Sequence, residues 1–410
     1  MKRNNILALI LSIAMWHLSA VVLSSCIDYD DVTKAIDVNV QLILPSDFIN
    51  DDALSGHEVV LTSNGKSYSA TTDENGVARF EQLVPDTYSM AVSWSLSSDE
   101  YKSYTGDEQA NMGATVSGST SSILLSENNM TITLSTILSL NRSLVISKIY
   151  YAGSKDTYNI SYAQGKYMEF YNQSSDTVDI AGYYFGLCET DNTPAYTLGL
   201  TPDSIYLKQI FRFPADSPIY VAPGGVVLVA NSAIDHTPNS TSEHDLRTAD
   251  FEAKDVTGNG KHENNPATPA LDLIYTAFSG ITYMNLVQGG PCAIVLFSAS
   301  ESDVESLPLV YKYGKTSGTM YKQLPISWVL DGVEIMKNKV KGIDTADKRL
   351  YETIDAGYTC ISNVSGWNGE LVMRKVDQVA DDGRKILVDT NNSTNDFTVA
   401  DNVDVNLKEY

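Results

Sequence analysis

Three of the five histidines, His236, His244 and His262, fall in one polar stretch, residues 231–269, with Asp235, Glu243, Asp245 and Glu263. Imidazole nitrogens and carboxylate oxygens are the ligands that gather transition metals. The spacing is loose, with neither HExxH nor His-x-His. A structural loop is the favoured reading, and the three histidines stand as weak metal candidates. Asp255 opens the run DVTGNG, which starts like a calcium loop with a carboxylate first, an amide fifth and a glycine sixth. Thr257 replaces the acid or amide at the third position, and Pro266 stands where a twelfth-position carboxylate would close the shell. Asp255 joins the weak candidates, and no metal or other cofactor is expected.

Other chemistries find less support. A G-x-S-x-G nucleophile elbow is absent. Cys360, in GYTCIS, has no basic or histidine neighbour in sequence to lower its pKa. No glycine-rich loop precedes a helix, so no phosphate cradle is expected. Fifty-one Asp and Glu residues will form pairs in any fold, but nothing sets two across a cleft as a glycosidase needs. The chain reads as non-enzymatic. VDTNNSTNDF, residues 388–397, could hydrogen-bond a sugar or a cation; small Asn and Asp side chains more often bond their own backbone in an irregular turn. Trp328 is expected in the core and Asp331-Gly332 in a turn.

Charge and the first residues say where such a chain works. It carries 28 Lys and Arg against 51 Asp and Glu, a net charge of −23. A surface of that sign repels phosphate backbones, so nucleic acid is not an expected partner. Lys2 and Arg3 precede an apolar stretch, the opening of a secretory signal. Leu23-Ser24-Ser25-Cys26 then resembles the bacterial lipobox, and Cys26 is the expected lipidation site. The resemblance implies cleavage after residue 25 and acyl chains on Cys26, with about 0.8 kcal/mol for each methylene buried in the membrane. Asp28, Asp30 and Asp31 follow. An acidic tether there resembles the export signal of surface-exposed lipoproteins in Bacteroidota, which implies an outer-membrane protein facing the cell exterior. Cys188, Cys292 and Cys360 are scattered and odd in number, so they form no disulfide framework or zinc site.

The elements that would carry any site are strands. Residues 36–42 alternate apolar and polar, and further strands are expected at 58–62, 66–70, 78–81, 87–92 and 130–134. Asn64-Gly65 and Asn75-Gly76 supply the positive φ of tight turns. Residues 95–122, rich in Ser, Gly and Asn, read as a long loop plus an edge strand. Of the 24 tyrosines, Tyr150-Tyr151 and Tyr183-Tyr184 are adjacent pairs, so one of each should face inward and one outward. Residues 187–208 and 231–280 are expected as long loops, where binding sites commonly lie.

Three resemblances refine this. In residues 71–92, Thr72-Asp73, Gly76, Phe80, Pro85 and Tyr88 resemble the prealbumin, carboxypeptidase-regulatory and Cna-B-like modules, with Asp86 where glycine is usual. Phe80 should enter the core and Tyr88 pack back across it. No inward lysine is evident in residues 35–100, so no isopeptide crosslink is expected. Farther on, Glu169, Tyr171-Asn172, Val178-Asp179-Ile180, Gly182 and Pro223-Gly224-Gly225, running into Val226–Val229, resemble the lamin-tail domain, an immunoglobulin-like sandwich. Lys148 stands where that pattern has a glutamate. Residues 324–336 and 384–397 resemble the C-terminal motifs of a Bacteroides-type lipoprotein family, domain of unknown function 4876, whose label brings no activity.

The expectation is an all-β chain of two β-sandwich domains. Residues 1–25 are the signal peptide, 26–34 the tether, 35–142 a transthyretin or Cna-B-like sandwich, and 143–410 a lamin-tail-like sandwich with long insertions. The expected function is non-enzymatic binding at the outer membrane, for a glycan or other nutrient, with an outer-membrane transporter as partner. A structural or adhesive surface role is the alternative.

Overall fold

The computed structural model describes residues 34–64, 66–106, 113–140, 142–190, 203–254, 262–311, 315–343 and 347–410. The expected signal peptide, Cys26 and most of the expected tether lie outside these residues. The fold is all-β, with several sheets, and no sheet is shared between strands before residue 141 and strands after 143. Among the described residues, no helix is long and apolar enough to cross a membrane.

In the first module, Ile36–Ile43 runs antiparallel to Val77–Leu83 and parallel to Met130–Ser135. Its alternation holds: Ile36, Val38, Val40 and Leu42 are buried. They face a five-stranded sheet in the order Lys66–Thr71, Glu58–Ser63, Asp86–Leu96, Ala114–Leu125 and Ile137–Leu140. Phe80 and Tyr88 enter this core, and the Tyr88 hydroxyl donates to Val84 O at 2.8 Å. Asp86 reshapes the corner locally by accepting from Ser63 Oγ and Asn64 Nδ2.

Residues 95–122 depart from the expected loop and edge strand. Ser98–Thr105 is a helix, closed by a capping box in which Ser97 and Glu100 satisfy each other's backbone N–H. Ala114–Leu125 is an interior strand, not an edge. The Ser-x-x-Glu box was visible in the sequence. The strand was masked because its side chains are small hydroxyls rather than β-branched apolar residues.

The second module stacks two larger sheets. One has the order Phe251–Glu252, Val226–Ala230, Tyr167–Asn172, Leu144–Tyr150, Glu370–Arg374 and Phe397–Asp401. The other has Leu309–Tyr311, Met320–Pro325, Ser204–Arg212, Tyr184–Cys188, Ile294–Phe297 and Val329–Val333, with Asp272–Thr276 also pairing Ser204–Arg212. Phe170, Phe185, Phe211 and Phe213 join the sheets through ring contacts of 5.2–6.0 Å. Ser204–Arg212 corrects the loop expected over 187–208. Asp331-Gly332 lies within a strand, not a turn, and Trp328 packs at the margin of a core cluster. At the Pro223-Gly224-Gly225 turn, Asn172 Nδ2 bonds Val221 O at 2.9 Å, and Gly224 takes a φ of +72°.

Every residue of Leu144–Tyr150 and of Tyr167–Asn172 is buried, because both faces of this sheet are covered. Tyr150 and Tyr151 are therefore both interior, against the inward-outward alternation expected of that pair, whereas Tyr184 is buried and Tyr183 half-buried. The same double cover buries polar side chains. Lys148 lies directly across the ladder from Glu169, 2.9 Å away, and both side chains are fully buried. Residues 406–410 close over the pair: Lys148 Nζ donates to Asn406 O and Glu409 O, and the Lys408 N–H donates to Glu169 Oε1. Lys148, where the lamin-tail pattern has a glutamate, is thus the partner of the motif's own Glu169.

Removing one member of such a pair leaves a buried charge with no counter-ion. Glu169→Leu is expected to cost about 3–5 kcal/mol, and adding Lys148→Met to restore most of it. Urea denaturation of the two variants checks this; equal losses in both would show that the pair is not a self-contained unit.

Candidate functional site

The sequence-derived metal candidates do not converge. His236 Nε2 lies 2.7 Å from Ser232 O, so it carries the proton, and Nδ1 accepts from the Tyr162 hydroxyl at 2.7 Å. Burial lowers the pKa of this ring. His244 Nε2 donates to Asn402 O, and His262 stacks on Tyr283. Each ring is engaged separately. Among the described residues no group of three or more His, Cys, Asp or Glu side chains could hold a metal, and Asp255 lies outside them. Cys188 and Cys292 are buried free thiols, and Cys360 is a half-buried one.

Between the histidines sits Glu243, a buried carboxylate. Its Oε1 accepts from Tyr150 and Ser154, while Oε2 has no hydrogen-bond partner among the described residues. A Cβ on Gly165 would overlap Oε2, so glycine is needed there for close approach. Burial raises the Glu243 pKa to about 7, opposed by the bonds from Ser154 and Tyr150 and by the nearby Lys166. Tyr150, Ser154, Lys166 and Glu243 are all buried.

The open space is elsewhere, between the two modules. A cleft of about 950 Å³ adjoins a second of about 300 Å³. One wall is the outer face of the five-stranded sheet. The register pairs Thr62 with Ser89, Val60 with Ala91, Ala91 with Ser119, and Ser93 with Ser117, so these side chains share that face. Their counterparts Leu61, Met90 and Val92 point into the core. This face is built of small hydroxyl and methyl side chains, which lets the second module approach and still leaves a gap.

The opposite wall is made by residues 348–358 and 392–395. Asp355 ties its two halves together. Its Oδ1 accepts from the Gly357 and Ser393 N–H groups, and its Oδ2 from Glu334 N–H and the Ser393 hydroxyl. Tyr358 N–H donates to Thr394 Oγ1, which in turn donates to Tyr358 O. A Cβ at Gly357 would overlap Asn392 Oδ1, so only glycine allows the segments to meet. Asn392 caps the short helix Ser393–Asp396.

Beneath this wall lies Arg374. Its buried guanidinium reaches Asp331 at 2.6 Å, Asp389 at 3.1 Å and Asp396 at 3.2 Å. Asp331 comes from the seven-stranded sheet, Arg374 from the six-stranded one, and Asp389 and Asp396 from the 388–397 loop. Asp331 also accepts the Ile146 N–H, and Arg374 Nε donates to Ile146 O. The two long motifs singled out in the sequence, 324–336 and 384–397, therefore meet at one arginine. The 388–397 loop is structural in its Asp389 and Asp396, while Asn392, Thr394 and Asn395 face the cleft. Sequence reasoning missed the cleft itself; the only signal was the row of alternate small residues at 89, 91 and 93.

Residues 222–403 match the family model for a protein of unknown function, DUF4876. The matched region holds Arg374, its three aspartates and the whole 348–358 and 392–395 wall. The crystal structure of a DUF4876 family protein from Bacteroides thetaiotaomicron is 21% identical and covers 88% of this chain and 94% of that one, with a TM-score of 0.54. At that identity it shows a shared fold. A putative adhesin from Bacteroides ovatus, 9% identical, covers 74% of this chain and 87% of that one; its TM-score of 0.19 carries no argument. No curated protein matches the chain.

Two outcomes follow from these networks. Arg374→Met leaves three aspartates facing one another without a counter-charge, and is expected to cost about 3–5 kcal/mol in urea denaturation. Arg374→Lys keeps the charge but not the fork, and should fall between that variant and wild type. For Glu243, the folded pKa of about 7 lies above the unfolded value of 4.5. Between those pH values the folded chain holds the extra proton, so this group's contribution to stability declines as pH rises through the window and is flat above it. Thermal unfolding of Glu243→Gln from pH 4.5 to 8 should lack that decline, up to about 3 kcal/mol in wild type; an unchanged profile would show that Glu243 stays ionised throughout.

Proposed function

We propose that this chain is a non-enzymatic, lipid-anchored binding protein of the outer membrane, facing outward, that captures a solute in the cleft between its modules. The observation that carries the reading is the cleft: about 950 Å³, within the range of ligand sites, with one wall a complete sheet and the other braced by Asp355. A braced wall loses little conformational entropy on binding. Anchoring rests on the Leu23–Cys26 motif, and the acidic residues after it support export to the surface. The proposed partner is an outer-membrane transporter that accepts the captured solute.

The test is a thermal-shift screen of the full chain, extracted in detergent, against separate pools of oligosaccharides, peptides, nucleosides and metal salts. Occupancy at one hundred times Kd adds about 2.7 kcal/mol, enough to raise Tm measurably. Ser119→Trp, which fills the cleft from the sheet side, should abolish that rise and leave the unliganded Tm near wild type. No shift from any pool, or a shift that Ser119→Trp does not touch, would overturn the cleft as the binding site. On cells, Cys26→Ala should move the chain out of the membrane fraction. Mild crosslinking should recover a transporter channel with wild type only; recovery of copies of the same chain alone would favour an adhesive or structural role.

A further inference from the structure

We propose that the occupant of the cleft is an extended, uncharged glycan chain lying across the strands of the first module and recognised by side-chain hydroxyls and amides. This rests on the reading of the cleft as the binding site and names the class of ligand it takes.

Shape comes first. The two adjoining cavities share Ala91, Ser93, Ser119, Glu352, Asn392 and Asn395, so they form one trough. It runs from Val60 and Thr62 at one end to Ser135 and Ile137 at the other. From Glu58–Ser63 to Ile137–Leu140 the sheet spans three inter-strand spacings, roughly 14 Å. A metal ion or a single small solute would leave most of that length empty.

The chemistry of the floor then separates polymers. Asp86–Leu96 pairs with Glu58–Ser63 on one side and Ala114–Leu125 on the other. Its backbone N–H and C=O groups are engaged in these ladders, so a peptide cannot add as a strand here. Recognition falls to side chains. Thr62, Ser89, Ser93, Ser119 and Thr120 line the floor. Asn392 and Asn395 line the roof, beside a Thr394 hydroxyl already bonded to the Tyr358 backbone. Hydroxyls and carboxamides both donate and accept, which matches a ligand whose own hydroxyls do both.

Charge disfavours anionic polymers. The charged residues lining the larger cavity are Glu58, Glu352 and Lys348, and the Lys348 ammonium is held by Asp355 O at 2.7 Å. Two carboxylates against one ammonium leave this lining net negative, which disfavours phosphate, sulfate and uronate groups. Tyr358, Val60 and Ala91 supply apolar surface of the kind that packs against the C–H face of a pyranose ring.

The experiment is a binding panel with the full chain in detergent. The probes are neutral oligosaccharides of two to eight units, uronate-containing oligosaccharides of the same lengths, and uncharged extended peptides. The expected result is binding of neutral glycans, tightening with length until the trough is filled and insensitive to salt. Ser119→Trp should abolish it. Asn395→Ala, at an exposed position where folding is not at stake, should weaken it roughly three- to tenfold, the scale of one lost hydrogen bond. Preference for uronates or peptides, lost in Ser119→Trp, would overturn the glycan assignment and leave the cleft as the site. Binding of neutral glycans that neither variant alters would overturn the assignment of this trough.

Discussion

The second module depends on one buried cation. Arg374 is taken out of water together with three aspartates, and each of the four comes at a desolvation cost that only close geometry offsets. The geometry is close because the partners arrive from different parts of the fold: Asp331 from one sheet, Arg374 from the other, Asp389 and Asp396 from the 388–397 loop. No pair among them is satisfied until both sheets and the loop are in place. The interaction therefore acts less as a source of net stability than as a condition on the register. The cleft wall inherits that condition, since Asn392, Thr394 and Asn395 lie between Asp389 and Asp396.

Lys148 and Glu169 apply the same logic on the other side of the six-stranded sheet. Their charges sit on neighbouring strands and are sealed by residues 406–410, whose backbone carbonyls and N–H groups complete their hydrogen bonding. Together the two networks explain a sheet whose central strands are buried on both faces yet carry Ser147, Lys148, Glu169 and Asn172. A purely apolar strand would pack as well but would allow slippage that these charges forbid.

The first module was the more legible part of the chain. Residues 36–42 alternate cleanly, and Phe80, Pro85 and Tyr88 mark a corner whose side chains pack as their types suggest. Where one face is wet and the other dry, sequence pattern carries the fold. Ala114–Leu125 escaped because small hydroxyl residues resemble a loop. In the second module the alternation disappears with the wet face, so Tyr150 and Tyr151 could not be sorted, and Asp331-Gly332 in the middle of a strand looked like a turn. The cleft was less legible still. Its walls come from residues 58–120 and 348–395, far apart in sequence, and its hydroxyls and amides carry no spacing that separates them from ordinary turns. The histidines, which did carry a visible grouping, are dispersed by the fold into separate structural bonds.

The parallel pairing of Ile36–Ile43 with Met130–Ser135 has a mechanical side. The chain enters the first module at the start of Ile36–Ile43, and its neighbour Met130–Ser135 points the same way before the chain passes on into Ile137–Leu140. A pull between residue 34 and Thr136 therefore slides these strands along each other. In that direction the evenly spaced bonds of the ladder bear the load together, whereas a hairpin pulled from its open end gives up its bonds one at a time.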